Sequence, residues 1–129
     1  MNGTNFLIDT NIIIYLAQEK LKMDDFSKDT DGFYLSSIVY MEALGFLFQD
    51  PDEENKIIQL CSVFKHLYLT EEIEEQTIII RKFNKIKLAD AIIAATAIVY
   101  NLTLVTHDCN DFKNIPKLKI LNVCPQFQY

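Results

Sequence analysis

The chain has 129 residues, half of them hydrophobic and 12% aromatic, with 18 acidic against 12 basic residues and a formal net charge of −6. That length suits one domain over residues 1–129, able to bury about two thirds of its unfolded surface around one core, and the composition excludes a disordered chain. The negative balance excludes a protein that grips nucleic acid by bulk charge, since such proteins are normally basic.

No apolar run reaches the roughly 18 to 20 residues that a membrane helix needs. The opening MNGTN lacks the basic and apolar parts of an export signal, so a cytoplasmic location is expected. Cys61, Cys109 and Cys124 are widely spaced, with no CxxC pair, which argues against both a disulfide framework and zinc and fits a reducing compartment. Cys61, in IIQLCSVF, is expected to be a small core residue.

Residues 5-NFLI-8 are apolar, stop at a polar trio and predict a buried strand. The run IIIYLAQEK that follows Asn11 lengthens and turns polar, as a helix does. Residues 21–32, ending in Asp-Gly, predict a loop with about one helical turn, and 33-FYLSS-37 a second strand. From Ser37, SIVYMEALGFLFQ predicts a largely buried helix, with Gly45 inside it marking a close contact. Pro51 restarts the chain for a helix over 52–64 with acids in its first turn. HLYL at 66–69 predicts a third strand, and Thr70 with 71-EEIEEQ-76 opens another helix, which the triple Ile at 78–80 disfavours. The clearest helix is the alanine-rich 88-LADAIIAATAIVY-100; then come a strand at 102-LTLVT-106, a polar turn at 107–112 and a last strand at 118-LKILNV-123. Strands alternating with helices predict a mostly parallel sheet with helices on both faces.

Four acids stand in apolar surroundings: Asp9 after FLI, Glu42 in IVYMEALGF, Asp90 in LADAIIAATA and Asp108 after LTLVT. Each alone has a plain explanation as a cap, a solvated face or a partner of a helix dipole. Together they agree, because each lies near the carboxyl edge of the predicted sheet, where open α/β sheets place their ligands, and each is expected to be at least partly buried. On this reading Asp9 closes its strand at that edge, and helix capping falls to Thr10 and Asn11. Crowded carboxylates cannot all ionise cheaply, and a divalent cation resolves the conflict. All-oxygen ligation favours Mg²⁺ or Mn²⁺ and suits phosphodiester hydrolysis, which also lets an acidic protein approach a polyanion. The basic run 81-RKFNKIK-87 offers Arg81, Lys82, Lys85 and Lys87 either as an ordinary solvated helix end or as a phosphate-gripping rim.

With these residues in view, the sequence resembles the PIN-domain family, and within it the toxin subunits of VapBC-type toxin–antitoxin pairs. The resemblance is carried by 7-LIDTNIIIYL-16, 36-SSIVYMEALGF-46, 88-LADAIIAATA-97 and 104-LVTHDCNDF-112, and spans nearly the whole chain. It implies a three-layer α/β/α sandwich with a mostly parallel, about five-stranded sheet. It further implies a Mg²⁺- or Mn²⁺-dependent endoribonuclease with Asp9, Glu42, Asp90 and Asp108 as metal ligands. Thr10, Asn11 and Thr106 match the family's supporting polar shell, and Asp111 is a candidate at the edge of the site. A homodimer and a small antitoxin whose tail enters the acidic groove are implied in the same way. His107 replaces an arginine common in such toxins; if it touches RNA, its charge depends on pH.

Four rival readings remain open. A haloacid-dehalogenase-like phosphatase wants aspartate where Asn11 stands, and a receiver domain wants an acidic pair at the first strand and a lysine after the last. A PIN-type nucleic-acid-binding or scaffold module with little catalysis, or a non-toxin RNA-processing nuclease, fits the same residues.

Overall fold

Residues 4–26 and 30–124 are described in the computed structural model. Strands β1 (Thr4–Ile8), β2 (Thr30–Ser36), β3 (Lys65–Leu67), β4 (Thr103–Thr106) and β5 (Lys119–Asn122) form one sheet in the order β3-β2-β1-β4-β5. Every pairing is parallel. Between the strands run α1 (Thr10–Ala17), α2 (Ser37–Leu44), α3 (Pro51–Ser62), α4 (Glu71–Phe83) and α5 (Leu88–Val99), with short 3-10 turns at Met23–Asp25 and Cys109–Asp111.

In β1 the consecutive residues Phe6, Leu7 and Ile8 are all buried, and so are Leu104, Val105 and Thr106 in β4. Successive strand residues point to opposite faces, so both faces of the central strands are covered, as a parallel sheet requires. Helices α1, α2 and α3 pack on one another, and α4 packs along α5. Helix α5 is buried on most sides, its small alanines 91, 94, 95 and 97 allowing close approach, and Thr96 returns its hydroxyl to the Ile92 carbonyl. Cys61 lies in the core, where burial pushes its thiol up to about 11.

The elements follow the predicted order and differ mainly in where they begin and end. Helix α1 stops at Ala17, short of the predicted Lys20, because Glu19 adopts a left-handed φ of 61°. The Glu19 and Lys20 amides then close onto the Leu16 and Tyr15 carbonyls, a helix stop usually signalled by glycine. Strand β2 begins at Thr30, inside the predicted loop; residues 27–29 of that loop lie outside the described residues. Helix α2 ends at Leu44, not Gln49: Gly45 is its cap, and a Cβ there would stand 2.5 Å from the Met41 carbonyl oxygen. Strand β3 covers 65–67, because the chain leaves it before Tyr68 for the Thr70 cap of α4. That helix takes in the triple Ile, burying Ile80 and leaving Ile78 and Ile79 exposed.

The winding reverses at β1. The chain moves from β1 to β2 on one side, while β4 pairs on the other. The crevice at the carboxyl ends of β1 and β4 is therefore the topological switch point, where such sheets bind ligands.

Candidate active site

Asp9 follows β1 directly and is 6% exposed, deep in the switch-point crevice. Its Oδ1 accepts the Thr10 amide at 2.8 Å, so Asp9 is itself the N-cap of α1. This corrects the sequence reading, which assigned the cap to Thr10 and Asn11: those two lie within the first turn, and one carboxylate serves both cap and crevice. Its Oδ2 accepts the Thr106 hydroxyl at 2.7 Å.

The other acids converge through the same polar residues. Thr10 donates its hydroxyl to Glu42 Oε1 at 2.8 Å, tying α2 to the start of α1. Asn11 Nδ2 donates to Asp108 Oδ2 at 2.8 Å, while its Oδ1 accepts the His107 amide at 3.5 Å. The Thr106 hydroxyl also accepts the Asp108 amide at 3.0 Å. Thr10, Asn11 and Thr106 thus each hold a carboxylate by a neutral donor, which orients the acid without cancelling its charge.

Asp90, in the first turn of α5, joins the group electrostatically. Burial, then the charges of Asp9, Asp111 and Glu42, push its carboxyl up from 3.8 to about 6, against a lowering by Lys87. Asp9 is also raised, chiefly by burial, with Glu42 and Asp108 adding to the rise and the Thr106 and Thr10 bonds opposing it. Five carboxylates therefore share one field, Asp111 among them. Two of the predicted acids are not buried: Glu42 and Asp108 are exposed, because α2 and the turn after β4 carry them to the rim of the crevice.

Among the predicted basic residues, Lys87 caps α5 by position and acts on Asp90. Arg81 and Lys82 stand exposed on the last turn of α4, and Lys85 is exposed in the link to α5. The His107 ring is turned into the fold: Nδ1 lies 3.2 Å from the Val123 carbonyl, and the ring meets Tyr15 edge-on at 5.8 Å. The sequence reading missed the anchoring of this turn by β5. The Val123 amide bonds the Thr106 carbonyl at 3.0 Å, and the Asn122 side chain, with its amide nitrogen facing inward, reaches the Thr106 and His107 carbonyls at 3.1 and 3.2 Å. No local pattern marks such a role, since it exists only through the β4–β5 register.

The PIN-domain family model matches residues 6–118, which take in all of these acids. The chain belongs to the PIN-domain family. Relatives of this PIN domain include a protein named Ribonuclease VapC from Rickettsia bellii, 33% identical over 128 residues, covering 91% of this chain and 95% of that one. Among solved structures, a toxin–antitoxin complex from Klebsiella pneumoniae is 29% identical with a TM-score of 0.74, covering 90% of this chain and 95% of that one. VapBC2 from Rickettsia felis, bound to a DNA fragment of its promoter, shares the fold with a TM-score of 0.80 at 23% identity, covering 94% and 100% of the two chains.

Proposed function

We propose that this PIN domain is a metal-dependent endoribonuclease, the toxin of a toxin–antitoxin pair. The observation that carries the reading is the meeting of Asp9, Glu42, Asp90 and Asp108 at the switch point, three of them held by the neutral donors Thr10, Asn11 and Thr106. Two relatives support it: one is named a ribonuclease, and another is a toxin–antitoxin complex from Klebsiella pneumoniae.

The donor set is all carboxylate oxygen, which suits Mg²⁺ or Mn²⁺. Among the described residues no three such groups are already gathered closely enough to close on one ion, so the acids stand apart around the crevice. Asp9, Glu42, Asp90 and Asp108 would hold the ion, with Asp111 beside them. When bound, it supplies water activation and relief of charge on the scissile phosphate. The chain's own part is to fix Asp9 and Asp108 through Thr106, to fix Glu42 through Thr10, and to keep positive charge near the cleft at Lys87.

RNA is the proposed substrate, a small antitoxin and a second copy of the chain the proposed partners, and the cytoplasm the proposed setting. Among the described residues no helix is long and apolar enough to cross a membrane. The test is incubation of total RNA with purified protein in Mn²⁺ or Mg²⁺ against EDTA, beside Asp9→Asn. Metal-dependent fragments missing in the variant are expected. RNA binding without cleavage under any condition would instead make the chain a nucleic-acid-binding module.

A further inference from the structure

An acidic protein that cuts RNA needs a way to hold it that does not depend on bulk charge. At the carboxyl edge of the sheet, on the side of α2 away from Glu42, three aromatic rings are arranged in a row. The His66 ring on β3 meets Tyr40 of α2 edge-on at 5.0 Å and lies almost parallel to Tyr68, with centroids 5.1 Å apart and an interplanar angle of 9°. His66 covers one face of Tyr68, yet Tyr68 remains 68% exposed, so its other face is open to solvent.

The sheet register relates the position of this row to that of the acids. Leu7 pairs with Tyr34, and Tyr34 with Lys65. Ile8, Leu35 and His66 therefore share the next row across the sheet, and Tyr68 leaves β3 at the level at which Thr10 leaves β1. Two strand spacings, roughly 10 Å, separate Ile8 from His66. Helix α2 stands between them: Tyr40 and Glu42, two residues apart, lie on different sides of it. Tyr40 reaches His66 while Glu42 reaches Thr10.

We propose that Tyr68, braced by His66 and Tyr40, is a base-stacking subsite that receives an unpaired base of the RNA whose backbone lies in the acidic cleft. The proposal rests on the ribonuclease reading above. Glu71 and Glu72 follow Tyr68 within four residues, so this edge does not attract phosphate. What it offers is a ring face, and stacking accepts any base because every base has a π-face. Substrates with unpaired bases at the cut are accordingly favoured over duplex.

The test uses Asp9→Asn, expected to bind without cutting, and a fluorescently labelled unpaired oligoribonucleotide followed by anisotropy. Tyr68→Ala in that background is expected to weaken binding on the order of tenfold, the worth of one stacked base. Tyr68→Trp should retain the affinity, and Tyr68→Leu, apolar but without a ring, should bind as weakly as the alanine variant. The loss should be the same at about 50 and about 200 mM salt, unlike a phosphate contact. Unchanged affinity in Tyr68→Ala, with the oligonucleotide still bound, would overturn the subsite and leave the nuclease standing. A changed oligomeric state with unchanged affinity would overturn it too, assigning the rings to a protein contact. No binding by Asp9→Asn and no cleavage by the parent would remove both readings.

Discussion

Thr106 and Asp9, 97 residues apart in the chain, are joined by a buried hydrogen bond of 2.7 Å from Oγ1 to Oδ2. The same hydroxyl accepts the Asp108 amide, so one side chain sets two acids that follow neighbouring strands. Thr106→Val keeps the shape and removes both bonds, leaving a buried carboxylate oxygen without its donor. A loss of about 1–3 kcal/mol in stability is expected, with cleavage down at least about tenfold. Thr106→Ser should recover most of both. Denaturant unfolding and single-turnover cleavage measure the two effects, and a fully active valine variant would show that the acids need no such tether.

Asp9→Asn should separate chemistry from folding. Asparagine caps helices about as well as aspartate, so α1 keeps its start. The substitution also removes a charge that burial disfavours. Cleavage should fall to background while the unfolding midpoint stays level or rises; a large drop in midpoint would mean that the charge itself supports the fold.

Asp90 gives the pH dependence a definite sign. Its folded carboxyl is held up at about 6, against 3.8 ordinarily, so between those values the folded chain keeps a proton that the unfolded chain has released. Stability of the metal-free protein therefore falls as pH rises through that window. Asp90→Asn has no charge to desolvate. It should be more stable than the parent at about pH 7, with the difference shrinking as pH drops from about 6 towards 4. A constant difference across thermal melts at several pH values would show that Asp90 titrates as an ordinary surface acid.

Adding Mn²⁺ or Mg²⁺ to metal-free protein should raise its melting temperature, since an ion bound only by the folded chain stabilises it by about 2.7 kcal/mol at a hundredfold excess over its dissociation constant. Glu42→Gln and Asp90→Asn should each reduce that rise. Equal melting curves with EDTA and with metal would deny the cleft an ion.

Gly45→Ala tests the end of α2. The added Cβ would fall 2.5 Å from the Met41 carbonyl oxygen, a backbone atom that cannot swing aside. A cost of about 1–3 kcal/mol is expected by denaturant unfolding, as for other overpacked sites; a neutral result would mean that the helix end shifts freely.

Period and position made much of this molecule readable. The apolar runs before Asp9 and Asp108 announce strands, and acids at their ends announce the sheet edge. Thr70 and Pro51 mark helix starts by chemistry that acts within one turn. What stayed hidden depends on partners distant in sequence or on unusual backbone. Glu19 and Asn101 adopt the left-handed conformation that glycine usually signals, so the stop of α1 had no marker. The exposure of Glu42 and Asp108 depends on how far α2 and the turn after β4 stand out from the crevice. The turning of His107 onto Val123 depends on the β4–β5 register. The Tyr40–His66 contact depends on β3 lying beside β2, from which α2 leaves.

The central strand of this sheet is the first to be made, and its partner β4 is among the last. Asp9 therefore leaves the ribosome long before Thr106 and Asp108 exist to meet it. A growing chain carries half of a cutting site and nothing to complete it. The contacts that set its acids can close only once β4 and the turn after it have been made, so the site is assembled late in folding.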